Sequence, residues 1–142
     1  MTARDVIEGY LAELRENLAM LEPLRAIPLD EYRGDRPRQK VVERCLQVAI
    51  ECMIDIADHL VSEHAWRRPV SAEEALDVLS ETGVLPGPYR ERIRGIAGFR
   101  NVLVHGYVRL DPRRVHAYLQ RLDDLRDFGR HVQAFLDREP TA

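Results

Sequence analysis

The stretch VVERCLQVAIECMIDIADHLVSE, residues 41–63, runs twenty-three residues without a glycine or a proline. Val42, Cys45, Ala49, Cys52, Ile56 and Leu60 recur every three or four positions, the spacing that gathers side chains on one stripe of an α-helix. Leu46, Ile50, Met53 and Ile54 widen that stripe past half the circumference. A helix so broadly apolar has to be surrounded, so this segment reads as the central helix of a bundle, from about Arg38 to His64. The two cysteines, Cys45 and Cys52, lie two turns apart on it, roughly 10 Å and beyond disulfide reach. They read as buried thiols without a redox role.

Working outward, Ile7, Leu11, Leu14, Leu18 and Leu21 define a first helix with Thr2 as N-cap and Pro23 near its end. Residues 27–37, with two prolines and Gly34, read as a loop. Beyond the central helix, Arg67, Arg68 and Pro69 mark a stop. Ser71 and Glu74 then have the S-x-x-E spacing of a capping box for a short third helix that Gly83 ends. Pro86-Gly87-Pro88 is the next turn. A fourth helix is expected from about Tyr89, with Tyr89, Ile93, Ile96 and Leu103 on one face and Gly106 as the glycine just past its end. Asp111-Pro112 opens a fifth, carrying Val115, Leu119, Leu122, Leu125, Val132 and Leu136. The expected fold is all-α, an antiparallel bundle of four or five helices forming one domain over residues 1–142, with 138–142 a frayed tail.

Composition narrows the function. The chain has 142 residues, enough for one core but not for two ordinary domains, and a formal net charge of −3. That balance argues against a protein that coats DNA. The charge is uneven: residues 1–85 carry net −7 and residues 86–142 net +4, so a phosphate-facing surface is expected in the C-terminal part. No apolar run approaches the roughly 18 residues a membrane span needs, and acids near the N-terminus do not fit a leader, so a cytoplasmic location without membrane contact is expected. No histidine has a Glu three residues before it, which removes the di-iron bundle pattern. C-x-x-C, H-E-x-x-H and P-loop motifs are absent, so neither a metal nor another cofactor is called for.

The chemistry is carried by RNVLVHGY, residues 100–107. Steps of three and four from Tyr89 reach 93, 96, 100 and 103, so Arg100 stands where the pattern wants a leucine. A guanidinium there needs an anion, a buried acid such as Asp55, or an escape route to solvent. His105 is five residues on, about 140° around an unbroken helix, so the two converge only if the helix ends or a second subunit completes the site. Asn101 and His105 are i, i+4 neighbours, and the amide is expected to orient the imidazole. Arg, amide and His at a helix end form a kit for cleaving RNA without metal: the imidazole moves a proton and the guanidinium neutralises the phosphoryl oxygens. Asp55 and His59, also i, i+4, are candidates for a supporting network behind Arg100. Tyr107 on its own reads as a half-buried packing aromatic.

RNVLVHGY resembles the R-x4-6-H motif of HEPN ribonucleases, and specifically the RN-x-LVH-x-Y form of HepT toxins; residues 41–63 look like the long second helix of that family. The likeness covers most of the chain from Val41 to about Val132. It implies an endoribonuclease toxin of a type VII toxin–antitoxin system that works as a homodimer without metal and leaves 2′,3′-cyclic phosphate ends. Arg100 and His105 match the catalytic pair and Asn101 the polar position beside it. Tyr107 matches the tyrosine that a partner MNT-type nucleotidyltransferase antitoxin adenylylates. The same fold also serves as a non-catalytic nucleotide-binding or dimerising module beside a nucleotidyltransferase, and the joint presence of Arg100 and His105 favours the nuclease.

Overall fold

A computed structural model describes residues 1–106 and 110–139, and every regular element among them is helical. Helix α1 spans Ala3–Leu21. Its N-terminus is closed by a full capping box in which the Thr2 hydroxyl accepts from the Asp5 amide and the Asp5 carboxylate accepts from the Thr2 amide. The predicted leucine stripe of this helix is buried throughout. A 3₁₀ turn, Glu22–Leu24, follows.

The predicted loop at 27–37 contains a short helix, α2 (Leu29–Arg33), that buries Tyr32. Its carbonyl groups find a partner six and seven residues on: the buried Gln39 amide donates to the backbone oxygens of Tyr32 and Arg33 at 2.9 and 3.1 Å. That bond locks α2 onto the first turn of α3, Arg36–Glu63, which Asp35 caps. Helix α3 is the axis of the molecule, packing on α1, α2 and the helices that follow. Its whole predicted apolar face is buried, Cys45 and Cys52 included, and both thiols are free. Burial pushes both thiols up, Cys52 to about 11.

Ser71 caps α4 (Ala72–Glu81) by accepting from the Glu74 amide. The reciprocal half of the box is displaced by one residue: the Glu74 carboxylate accepts from Val70 N–H and also holds Arg67. Gly83 ends the helix at φ +87°, a conformation open to glycine.

The predicted fourth helix is two. Helix α5 (Gly87–Arg92) stops at Ile93, and Gly95, at φ +91°, turns the chain into α6 (Ile96–His105). Periodicity hid the break because Tyr89, Ile93 and Ile96 are buried on either side of it. The predicted fifth helix likewise divides into α7 (Pro112–Leu119), capped by the Asp111 carboxylate, and α8 (Leu122–Arg138), with the apolar stripe continuous across the joint. The tail expected to fray from 138 is tied down at its start. Arg138 is helical, and the Glu139 carboxylate is 2.6 Å from His64 Nε2, a ring stacked on Trp66. No described helix is long and apolar enough to cross a membrane.

Candidate active site

Helix α6 is short, ten residues, and is fixed at its front by a carboxylate from another helix. Glu73, on α4, accepts from the backbone amides of Gly95 and Ala97 at 2.8 and 3.1 Å, so an acid from 22 residues earlier caps α6 where its own sequence offers only glycine. The same carboxylate takes Arg90 Nη2 at 2.9 Å, while Arg90 Nε donates to Asp77 at 2.8 Å. Arg90 is 2 % exposed, and its Nη1 has no partner among the described residues. The Arg90 and Arg94 guanidiniums, winning over burial, hold the Asp77 carboxyl below its ordinary range. Sequence reading passed over this trio, whose one visible signal was two acids on α4 facing two arginines beside Gly95.

On α6, Ile96, Ala97, Phe99 and Leu103 face the core. Arg100 lies between them and is half-buried, with Nε donating to Asn101 Oδ1 at 2.9 Å. The amide predicted to orient His105 therefore holds the guanidinium instead: a Nε–H donor one residue back outcompetes a ring four residues on. His105 and Asn101 are exposed, and His105 closes the helix about 140° from Arg100 around the axis. Within one chain the two groups do not converge. Gly106, expected as the glycine just past the helix end, is the C-cap itself at φ −91°, donating to the Val102 carbonyl at 2.7 Å. Glycine is required there for space, since a Cβ would lie 2.6 Å from the Val102 oxygen. Tyr107 lies outside the described residues.

Asp55 and Asp58, on the stretch of α3 that packs on α6, lie within electrostatic reach of Arg100. The Asp55 carboxyl is nonetheless raised, first by burial and then by Asp58 and Glu51, with His59 and Arg100 pulling the other way. Burial likewise raises Asp58 against His59 and Arg100. Asp55 and His59 share no hydrogen bond among the described residues. His59 instead meets the Tyr10 ring, centroids 5.5 Å apart. The network expected behind Arg100 is therefore electrostatic at Asp55, without a hydrogen-bonded Asp55–His59 relay. Among the described residues no group of three or more His, Cys, Asp or Glu side chains is gathered so as to hold a metal ion.

Phe99, immediately before Arg100, stacks parallel on Tyr118 of α7 at 3.9 Å, and the Arg114 guanidinium lies 5.3 Å from the centroid of the Phe99 ring. These contacts fix α7 against the helix that carries the candidate site.

The chain has relatives among known proteins. The family model described as Ribonuclease HepT-like matches residues 7–132. The tRNA nuclease HepT of Aphanizomenon flos-aquae (strain 2012/KM1/D3) is 32% identical over 110 residues, 78% of this chain and 75% of that protein. The mRNA nuclease HepT of Shewanella oneidensis (strain MR-1) is 27% identical over 125 residues, 87% of this chain and 93% of that one. Among solved structures, the tri-AMPylated HEPN toxin of Shewanella oneidensis in complex with its MNT antitoxin superposes with a TM-score of 0.81 at 24% identity, covering 94% of this chain and 99% of that one. The observed fold is thus the HEPN-type helical bundle.

Proposed function

Because the chain belongs to the Ribonuclease HepT-like family, we propose that it is an endoribonuclease toxin of a toxin–antitoxin pair, cutting RNA through Arg100 and His105 without a metal ion. One observation carries the reading. Arg100 is a half-buried guanidinium, steered by Asn101 and with no carboxylate at ion-pair distance among the described residues, in the middle of a helix that closes on an exposed histidine. A purely structural arginine in that position would be paired with a carboxylate or extended fully into solvent; a half-buried one without a carboxylate is open for a phosphate.

In the proposed reaction the ribose 2′-oxygen attacks phosphorus, the P–O5′ bond breaks, and a 2′,3′-cyclic phosphate forms. An imidazole takes the 2′-hydroxyl proton, and an imidazolium supplies one to the departing 5′-oxygen. Arg100 balances the charge that builds on the non-bridging oxygens. A homodimer supplies the second His105 and overcomes the 140° separation within one chain. The relatives are named for tRNA and for mRNA, so either RNA is an eligible substrate.

The proposed partner is an MNT-type nucleotidyltransferase antitoxin, as in the Shewanella complex, that adenylylates Tyr107. Two residues from His105, an attached nucleotide phosphate would occupy the substrate phosphate position and neutralise Arg100. The test is incubation of the purified protein with total RNA in EDTA. Cleavage leaving cyclic phosphate ends, and its loss in His105→Ala and Arg100→Ala, is the expected result. A strict magnesium requirement, or undiminished cleavage by His105→Ala, would overturn it and leave the binding-module reading.

A further inference from the structure

The net charge of +4 in residues 86–142 is concentrated in one segment. Residues 100–121 hold five arginines and two histidines against a single acid, Asp111, while the flanking residues 86–99 and 122–142 carry +2 and −2 and cancel. Most described arginines, Arg90, Arg92, Arg121 and Arg126 among them, keep a carboxylate at ion-pair distance. Arg113 and Arg114 do not, among the described residues, although both are exposed. The one acid beside them, Asp111, is engaged in capping α7 through the Arg113 amide.

Arg114 is also not free to wander. Its guanidinium lies 5.3 Å from the centroid of the Phe99 ring, which is itself stacked on Tyr118. Phe99 is six residues from His105, about 9 Å along the axis of α6. Arg114 is thus a planar cation, unpaired among the described residues and open to solvent, held against the helix that carries Arg100 and His105.

We propose that Arg113 and Arg114, at the start of α7, bind the RNA backbone beside the cleaved bond and set the register in which the strand meets Arg100 and His105. This rests on the ribonuclease reading above. Contacts with backbone phosphates do not read sequence but they position the strand, and each releases counterions, so binding weakens with salt in proportion to their number. The stack on Phe99 restricts Arg114 before RNA arrives, so little side-chain freedom is lost on binding.

The experiment measures binding of a fluorescent 20-nucleotide RNA to the His105→Ala protein, which leaves the strand uncut, over a series of NaCl concentrations. Arg113→Ala/Arg114→Ala in that background is expected to weaken binding on the order of tenfold at low salt. It should also reduce the slope of log K against log salt by about 0.7 per arginine lost. With His105 intact, the double variant should raise KM and leave kcat within about twofold, and Arg114→Lys should recover part of the affinity. Arg130→Ala, on α8 and paired with Asp127, serves as a control that leaves both readouts unchanged.

An unaltered salt slope and KM in the double variant would overturn the proposal, as would a normal KM together with lost binding to a nucleotidyltransferase partner, which would make the patch a protein interface. The charge reversal Arg113→Glu, at an exposed position, repeats the test should the double variant be poorly folded. Failure of the ribonuclease reading looks different, since the intact protein would then show no His105-dependent cleavage at all.

Discussion

Replacing Glu73 by alanine tests how α6 is held. Its carboxylate accepts from two amides at the start of α6 and from the buried guanidinium of Arg90. Loss of a helix cap costs about 1 kcal/mol, and loss of a charge-assisted hydrogen bond to a buried partner roughly 2 kcal/mol more. Asp77 and the Glu73 backbone carbonyl still hold Arg90, so the larger cost of a fully unpaired buried charge is not reached. The expected loss is about 3 kcal/mol, which for a chain of this size lowers Tm by roughly 10 °C. Urea and thermal unfolding followed by circular dichroism read this directly.

The companion variant is Arg90→Met, which fills similar volume while deleting the pair with Glu73 and also the pair with Asp77. Because it also removes a buried cation with an unsatisfied Nη1, and because Glu73 and Asp77 stay partly hydrated at 28% and 34% side-chain exposure, it should cost about 1 kcal/mol or less. A Glu73→Ala loss below that of Arg90→Met would refute the view that the carboxylate acts mainly on α6 and show that it serves Arg90 alone.

Gly106→Ala should force the last turn of α6 apart, because the new methyl meets the Val102 carbonyl. Displacing His105 by about 1 Å is expected to lower kcat on the order of a hundredfold, measured on a defined RNA alongside an unfolding curve that moves little. His64 gives a pH dependence: burial pulls its pKa down, but the Glu139 carboxylate and the Leu60 carbonyl outweigh it, so the net shift is upward. A raised histidine stabilises the fold below its ordinary value of 6.5 and ceases to do so as pH climbs through the folded value. Stability should therefore fall across the neutral range in the parent protein and more gently in Glu139→Gln. Arg100→Ala should move the Asp55 carboxyl further up, by removing the guanidinium that opposes its burial, and side-chain NMR titration would detect an unmoved or lowered value as a contradiction.

Local order was legible in the sequence, and long-range order was not. The α1 stripe, the apolar face of α3, and the Thr2 and Asp111 caps depend on residues within a few positions of one another, and the structure has them. The division at Gly95 was invisible because its cause, the Glu73 carboxylate, comes from another helix, while the apolar residues on both sides keep a single period. Arg90 gave no sign of burial, since what permits it is a pair of acids more than ten residues away. At the site, spacing placed Arg100 near the core side and His105 about 140° away. It misjudged Asn101 because i, i+4 geometry describes which side chains are neighbours and not which donor wins. Gly106 was legible as a helix-ending glycine, but what demands glycine there was not: the crowding comes from Val102, chiefly its carbonyl oxygen, a matter of tenths of an ångström that no pattern records.

The two sulfhydryls sealed along α3 make the bundle a clock for its own breathing. With the reactive anion suppressed by burial and each sulfur almost wholly out of reach of solvent, a maleimide or disulfide reagent can consume them only during moments when neighbouring helices part. The rate of that labelling, followed by mass, reports how often the centre of the molecule opens, and any ligand or partner that clamps the helices together will slow it without touching either cysteine.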